Sequence, residues 1–220
     1  MQKGVLVIGG GITGIQTALD LADAQFRVYL VEKAPSIGGK MAQLDKTFPT
    51  NDCSMCILSP KLVECGRHLN IDIITNAQVK GITGKPGDFK VSVLQKPSYV
   101  DPDKCVACGA CAEKCPSKVE DEFNEGFSQR RAIYIPYPQA VPHVYQIDPK
   151  HCRYLTKGKC QVCTKVCKSN AINFEMKEEL RELSVGALVL APGFDEYDAT
   201  RKYPFGYGRY ANVITSIQFE

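Results

Sequence analysis

Eight of the eleven cysteines in this 220-residue chain fall into two runs whose spacing suits metal chemistry. The first run has two residues between successive cysteines, then a gap of three, and a final proline: Cys105, Cys108, Cys111, Cys115 and Pro116. The second run repeats this order with a wider first gap: Cys152, Cys160, Cys163 and Cys167. Gaps of two residues let consecutive thiolates curl around one metal centre, and small residues between them let the backbone approach it.

Together the runs supply eight thiolates, the number that two [4Fe–4S] clusters require, and the first follows the spacing of bacterial ferredoxins. The fourth cysteine of such a run serves the other cluster, so we expect an interlaced partition. One cluster would take Cys105, Cys108, Cys111 and Cys167, and the other Cys115, Cys152, Cys160 and Cys163. Structural zinc and disulfides are the alternatives. Zinc is usually held by two separated Cys-x2-Cys pairs and gives no reason for Cys-Pro, and nothing in the sequence marks the chain as secreted, which disfavours disulfides. Lys168 follows Cys167 at the position where the usual ferredoxin pattern has proline. The second run therefore matches that pattern less closely, but it still has all four cysteines.

A glycine-rich turn near the N-terminus predicts a nucleotide site. The apolar run at residues 4–8 leads into a G-x-G-x-x-G formed by Gly9, Gly11 and Gly14, then a helical pattern and a second strand that ends at Glu32. In such a βαβ unit the glycines allow a tight turn, approach of the backbone to a pyrophosphate, and close helix–strand packing. The helix N-terminus offers free N–H groups to the phosphates. Glu32 would accept hydrogen bonds from ribose hydroxyls, which favours FAD or NAD over NADP.

Three further cysteines remain, at positions 53, 56 and 65. Cys53 and Cys56 form a Cys-x-x-Cys beside a nucleotide fold, which is typical of a redox-active dithiol. The pair equally suits two ligands of a further [4Fe–4S] cluster, with Cys65 as a third, and buried inert thiols are also common. The sequence does not decide between these three alternatives.

The remaining patterns predict the domain organisation. Short strands alternate from residue 71 to residue 95, and the apolar run at 185–190 predicts a strand that returns to the first sheet. We therefore expect an α/β protein, a Rossmann-like FAD-binding domain interrupted by an inserted ferredoxin-like α+β module with two [4Fe–4S] clusters. The predicted parts are residues 1–97, the insertion at 98–180, and a return to the FAD domain at 181–220. Residues 171–174 would form the closing strand of the ferredoxin lobe, and 132–142 an extended segment draped over the module.

Composition narrows the class of protein. A net charge of +3 is too mild to indicate nucleic acid or an anionic membrane as partner. The sequence has no apolar run of the length of a transmembrane helix and no basic leader at its start. Cysteines at metal-binding spacing then favour a reducing cytoplasm.

The stretch at 32–41 resembles FAD-binding disulfide-reductase-like flavoproteins. More widely, the chain resembles the A subunits of heterodisulfide reductase, as their N-terminal part or a short form. The resemblance rests on the glycine loop, residues 48–56, residues 134–142, both cysteine runs and residues 207–215. It implies FAD contacts at Lys33, Gly39, Val79 and Gly193, with backbone contact to adenine at Val79. It also implies several [4Fe–4S] clusters and cytoplasmic complexes with other reductase subunits, a hydrogenase- or dehydrogenase-type donor, and ferredoxin.

The family implies an oxidoreductase subunit that relays electrons between FAD and clusters, with a flavin that splits electron pairs between two acceptors. Family members extend beyond the point that matches Glu220, so the predicted return to the FAD domain is truncated relative to them. One alternative is a glutamate-synthase-like NAD(P)H-dependent iron–sulfur flavoprotein, although that group carries its clusters before the glycine loop. Another, without enzymatic activity, is a zinc-binding interaction module. No general acid–base pair stands out, so substrate chemistry is expected on another subunit.

Overall fold

The computed structural model describes residues 3–220 and contains one large sheet and three small ones. The strands are β1 Gly4–Ile8, β2 Val28–Val31, β3 Lys46–Thr47, β4 Asp52–Cys53, β5 Ile71–Ile74, β6 Ala77–Lys85, β7 Asp88–Gln95, β8 Lys118–Glu120, β9 Gln129–Arg131, β10 Ile133–Tyr134, β11 Gln146–Ile147 and β12 Glu179–Leu190. The helices are α1 Ile12–Asp23, α2 Ser54–Arg67, α3 Ala110–Glu113, α4 Arg153–Lys157, α5 Val162–Val166 and α6 Ser216–Phe219. Short 3-10 turns cover Gly39–Gln43, Ala199–Arg201 and Tyr203–Phe205.

The large sheet has the order β5-β2-β1-β12-β7-β6. Strands β5, β2, β1 and β12 run parallel, and β12, β7 and β6 form an antiparallel meander. The long β12 joins the two parts, because its first half pairs with β7 and its second half with β1. Parallel strands connected through a helix, with glycines at the first turn, make the α/β core that the sequence predicts.

The cysteine segment leaves and re-enters this sheet between two hydrogen-bonded neighbours. Strand β7 ends at Gln95 and β12 begins at Glu179, and these two residues are cross-strand partners. The return strand thus begins two residues before the expected boundary at 181, because its pairing with β7 extends that far. Residues 96–178 lie outside the large sheet and include the three short helices α3, α4 and α5.

Three apolar clusters hold the structure together. One lies between the sheet and helices α1 and α2, and a second is formed by side chains of the parallel strands and of the meander. The third belongs to the cysteine segment and centres on Val100, Cys111, Ile133, Ile147 and Ala171. Burial of apolar surface is the main favourable term in such packing.

Two expectations for the cysteine segment differ from the structure. Residues 171–174 do not form a closing strand; their pairing with residues 99–101 is confined to the single bridge between Val100 and Ile172. The segment at 132–142 does not drape over the module along its length. Its start belongs to the module's core, whereas Tyr137 and Ala140 are buried in the core beside α1 and α2. The segment therefore packs against both parts of the chain.

Candidate functional site

The first of two cysteine-lined cavities lies at the start of the cysteine segment. Its wall includes four cysteines, together with small and apolar residues and one tyrosine: Cys105, Cys108, Cys111, Cys167, Val100, Ala110, Ala171, Ile172 and Tyr145. Two positions with left-handed backbone, Ala107 at φ 53° and Gly109 at φ 82°, turn the chain around this cavity. The turn presents three cysteines of one run to the same space, and Cys167 approaches from the other run.

The second cavity has a matching set of cysteines from the other ends of the two runs. Its wall includes Cys115, Cys152, Cys160, Cys163, Ile133, Ile147, Tyr154, Val162 and Phe174. Cys152 precedes the first residue of α4, and Cys163 lies within α5. Each cavity thus brings together the four cysteines of one predicted set, with Cys115 and Cys167 exchanged between the runs.

The protonation of the cavity thiols follows from their surroundings. Burial raises the pKa of Cys111 to about 12 and that of Cys163 to about 11. Burial also acts to raise the pKa of Cys167, but hydrogen bonds from Ser169 and from the backbone N–H of Ala171 outweigh it, and its pKa is lowered. A bound metal deprotonates a thiol outright, so loading these cavities would release protons.

A charged cluster supports the second cavity. Asp148 accepts hydrogen bonds from Arg130 (3.0 Å) and from the ring of His151 (2.8 Å), and its backbone carbonyl accepts from the N–H of Cys152 (3.0 Å). His151 is therefore held by Asp148 beside the cavity. Within residues 3–220, no group of three or more Cys, His, Asp or Glu side chains is arranged to hold a single metal ion.

The glycine loop connects β1 to α1 and has the geometry expected of its three glycines. Gly9 has φ 108°, and a Cβ there would collide with the carbonyl oxygen of Ala191. A Cβ on Gly14 would collide with the carbonyl oxygen of Gly9. A Cβ on Gly11 would meet nothing within 4 Å, so the space in front of Gly11 is open. This open space at the start of a 12-residue helix fits a phosphate group of a dinucleotide.

Glu32 is placed at the end of β2 as predicted, but its carboxylate is occupied by the backbone. Oε2 accepts from the N–H of Gly10 (2.6 Å) and Oε1 from the N–H of Ala34 (2.7 Å), and the residue is 8% exposed. A carboxylate has about four acceptor positions, so two remain for ribose hydroxyls. Glu32 thus joins the glycine loop to β2 in addition to any contact with ribose.

The other predicted FAD-contacting residues occupy different places around this loop. Gly39 lies against it, since a Cβ on Gly39 would come within 2.9 Å of the Cα of Gly11. Lys33 is exposed beyond β2, and Gly193, at φ 68°, lies in the turn after β12. Val79 packs in β6 against the second core, opposite Val93. Their contacts with FAD remain predictions.

Hydrogen bonds join the cysteine segment to the glycine loop. The sequence patterns did not indicate this connection. Tyr137 is 6% exposed, stacks on Phe123 at 4.9 Å between ring centroids, and donates its hydroxyl hydrogen bond to the carbonyl of Ile37. The N–H of Ile37 donates to the carbonyl of Val141 (2.9 Å), and the N–H of Gly38 to that of Gly10 (2.7 Å). We call residues 135–141 the strap. Its only sequence signal is the aromatic residue between two prolines.

Cys53 and Cys56 lie at the N-terminal end of α2. Cys53 precedes the first helical residue, and its Sγ accepts a hydrogen bond from the N–H of Cys56 (3.2 Å). Ser54 anchors this end, because its Oγ donates to the carbonyl of Met41 (2.6 Å) and its N–H to that of Asp45 (3.0 Å). The Met41 turn contains Gly39, so α2 begins close to the glycine loop.

Cys65 is not the third partner of this pair that the sequence suggested. It lies nine residues beyond Cys56 on the same helix, roughly 13 Å along the axis. Its side chain is 1% exposed in the core between the sheet and α1 and α2, and burial raises its pKa to about 12. It is an inert core thiol.

Two family models match parts of the chain. Residues 4–42 match the family described as FAD dependent oxidoreductase, and residues 98–119 match the 4Fe-4S binding domain. Among solved structures, L-proline dehydrogenase from P. horikoshii overlaps 43% of this chain and 19% of its own, at 27% identity and a TM-score of 0.38.

Curated relatives extend over nearly the whole chain. The A subunit of the H(2):CoB-CoM heterodisulfide,ferredoxin reductase of Methanothermobacter thermautotrophicus is 51% identical over 98% of this chain and 32% of its own length. The iron-sulfur A subunit of the CoB--CoM heterodisulfide reductase of Methanocaldococcus jannaschii is 51% identical over 100% of this chain and 33% of its own. The second of two such A subunits from Methanopyrus kandleri is 55% identical over 98% of this chain and 32% of its own.

Fold and site together define the class: an oxidoreductase subunit with a Rossmann-like domain of the FAD-dependent type and a 4Fe–4S-binding segment. Within that class, nearly the whole chain is similar in sequence to heterodisulfide reductase A subunits. It spans about a third of the length of the curated relatives that it matches. In residues 3–220, no helix combines the length and the apolar character needed to cross a membrane.

Proposed function

We propose that this chain relays electrons between FAD at the glycine loop and two [4Fe–4S] clusters in the cysteine-lined cavities, as part of a heterodisulfide-reductase-type complex. The observation that carries the proposal is the sorting of eight cysteines into two cavities of four, each drawing on both runs. A [4Fe–4S] cluster takes four thiolates, so each cavity offers a complete ligand set.

The residues divide into three roles. The amides at the start of α1 would bind the pyrophosphate in front of Gly11, with Glu32 at the ribose and Lys33, Gly39, Val79 and Gly193 around it. The eight cavity cysteines would ligate iron, and the apolar residues between them would exclude water. When bound, FAD supplies one- and two-electron chemistry and the clusters supply one-electron steps. The role of this chain would be to hold FAD and the two clusters within one polypeptide.

The same topology supports the proposed domain organisation. Residues 98–180 would form an inserted ferredoxin-like module, and residues 1–97 and 181–220 the FAD-binding domain on either side. Both ends of the insertion meet at neighbouring strands, as the pairing of Gln95 with Glu179 requires. An insertion between paired strands leaves the host sheet continuous.

The wider context is also a proposal, supported by the family of the relatives. We infer cytoplasmic partners of three kinds: other reductase subunits, a hydrogenase- or dehydrogenase-type donor, and ferredoxin. Splitting of electron pairs at the flavin would belong to that complete assembly. The glutamate-synthase-like and zinc-module alternatives have no supporting observation of their own.

Cluster content tests the proposal directly. Anaerobically prepared protein should contain about eight irons and about eight sulfides per chain. It should also show a broad visible absorbance that bleaches on reduction. Iron near zero with stoichiometric zinc after anaerobic reconstitution would contradict the proposal.

A further inference from the structure

Two hydroxyl groups lie beside the first cavity, one on a tyrosine and one on a serine. Tyr145 lines the cavity wall and packs against the apolar core of the cysteine segment. Its hydroxyl oxygen is 3.4 Å from the position that a Cβ on Gly109 would take. Gly109 stands between Cys108 and Cys111 in the sequence, so the hydroxyl lies at the turn that carries these two cysteines.

The Tyr145 hydroxyl has no hydrogen-bond partner among the residues that the structure describes. Three other tyrosine hydroxyls form hydrogen bonds within residues 3–220: Tyr134, Tyr137 and Tyr207. Burial raises the pKa of Tyr145, and the charges of three cavity cysteines add to this effect: Cys111, Cys108 and Cys105. The hydroxyl therefore keeps its proton and is available as a donor toward the cavity.

The serine hydroxyl belongs to Ser169 and lies beside Cys167. The Sγ of Cys167 accepts a hydrogen bond from the backbone N–H of Ala171 (3.3 Å), and the Oγ of Ser169 is 3.5 Å from the same sulfur. A thiolate that ligates iron has no proton to donate. In a loaded cavity the serine hydroxyl is therefore the donor and the sulfur the acceptor.

The two cysteines that are exchanged between the runs have opposite surroundings. Cys167 faces donors, whereas the thiol of Cys115 in the second cavity faces an acceptor, the backbone carbonyl of Ser117, at 3.9 Å. A carbonyl oxygen cannot donate a hydrogen bond to a thiolate. The first cavity thus has hydrogen-bond donors where the second has a carbonyl group.

We propose that Tyr145 and Ser169 raise the reduction potential of the cluster in the first cavity by donating hydrogen bonds to its sulfurs. Ser169 would donate to Cys167, and Tyr145 to a sulfur beside the Gly109 turn. The proposal rests on the proposed function, because it requires a cluster in this cavity. Reduction adds a negative charge to the cluster, and donors to its sulfurs stabilise that charge. The first cluster would therefore accept an electron more readily than it would without these two hydroxyls.

Potentiometric titration of the cluster-loaded protein, followed by electron paramagnetic resonance under anaerobic conditions, tests the proposal. The signal of the first cluster is the one that Cys108→Ser lacks, because Cys108 lines the first cavity. Tyr145→Phe keeps the packed ring and removes only the hydroxyl. It should shift the midpoint potential of the first cluster to more negative values and leave the second cluster unchanged. Ser169→Ala should shift the same potential in the same direction.

Two further variants are matched controls. Ser169→Thr keeps a hydroxyl beside Cys167 and should retain the wild-type potential. Tyr154→Phe removes a tyrosine hydroxyl from the wall of the second cavity and should leave the first cluster unchanged. Unchanged potentials in both Tyr145→Phe and Ser169→Ala would overturn the proposal. Equal shifts of both clusters in these two variants would also overturn it, because they would indicate a general change in structure.

A magnetic measurement separates a direct hydrogen bond from a merely structural role of the tyrosine. Electron–nuclear double resonance of the reduced first cluster detects nearby protons, and transfer to deuterated water identifies the exchangeable ones. Wild type should show an exchangeable proton coupling that is absent from Tyr145→Phe. The same set of couplings in both proteins would overturn the role of Tyr145.

Iron analysis of the same samples distinguishes failure of this proposal from failure of the electron relay. Wild type and the hydroxyl variants should each contain about eight irons per chain. Unchanged potentials at full iron content would contradict only the role of the two hydroxyls. Iron near zero in reconstituted wild type would contradict the electron relay itself and, with it, this proposal.

Discussion

At the scale of single residues, burial determines what each thiol can do. Cys65 is surrounded by apolar side chains and remains protonated, with its pKa raised to about 12. The pKa values of Cys111 and Cys163 are also raised, but these thiols face a cavity where a metal could replace the proton. Cys53 combines partial exposure with a hydrogen bond that its Sγ accepts from the backbone N–H of Cys56 (3.2 Å). The surroundings of a cysteine therefore determine which chemistry is open to it.

The glycine loop gives a prediction at this scale. Gly11 has ordinary backbone angles, φ −73° and ψ −179°, and open space before its Cα, so Gly11→Ala should leave the free energy of unfolding nearly unchanged. The added methyl group would occupy the position where the pyrophosphate must approach. We expect a loss of FAD affinity of at least about tenfold, measured by flavin fluorescence titration, with iron content unchanged.

Gly14→Ala is the matched control for this variant. Its methyl group would collide with the carbonyl oxygen of Gly9, so thermal unfolding should occur at a clearly lower temperature. Equal FAD affinity in Gly11→Ala and wild type would show that the loop is not the flavin site. A loss of stability in Gly11→Ala as large as in Gly14→Ala would show that the space in front of Gly11 is filled by the protein itself.

At the scale of elements, local patterns predicted the βαβ unit and missed the strap. Strands β1 and β2, helix α1 and the glycines between them obey short-range rules of periodicity and turn geometry. The strap and the residues just before it show no hydrophobic periodicity, because Ile133 packs in one core and Tyr137 in another. Its hydrogen bond to Ile37 spans 100 residues, and such a contact leaves no mark on the neighbouring sequence. Helix α2 was missed as well, because Pro60 lies inside it and normally indicates a helix boundary.

The strap predicts that the cysteine segment stabilises the flavin loop. Tyr137→Phe keeps the stacked ring and leaves the buried carbonyl of Ile37 without its donor, which should cost about 1–2 kcal/mol of unfolding free energy. The Ile37–Gly38 turn rests on the glycine loop through the bond from Gly38 to Gly10, so FAD affinity should also fall. Denaturant unfolding and flavin titration measure the two effects.

Tyr134→Phe supplies the control for this variant. Tyr134 also bears a hydrogen-bonded hydroxyl, which accepts from Gln146 (2.6 Å), but it lies in β10, which pairs with β11. It should lose stability without losing FAD affinity. If Tyr137→Phe binds FAD as tightly as wild type, the strap is only a packing element.

At the scale of the whole molecule, the two ends of the cysteine segment meet at one point of the sheet. The order of motifs along the chain predicts an insertion, because a strand pattern resumes after the second run. Strand β12 pairs antiparallel to β7 and then parallel to β1. The sequence could not predict this double pairing, because the second half of β12 is apolar throughout and does not show which strand lies beside it. The grouping of cysteines was predictable because it follows from spacing alone.

That grouping leads to the last prediction, which concerns cysteines far apart in sequence. Cys167→Ser should affect the same cluster as Cys108→Ser, because both side chains face the first cavity. Cys115→Ser should resemble Cys160→Ser, which face the second, although Cys115 stands only four residues after Cys111. Electron paramagnetic resonance of dithionite-reduced protein would show two pairs of matching spectra, each lacking the signal of one cluster. A grouping by run, with Cys115→Ser matching Cys108→Ser, would contradict the interlaced arrangement and imply that each run folds around its own cluster.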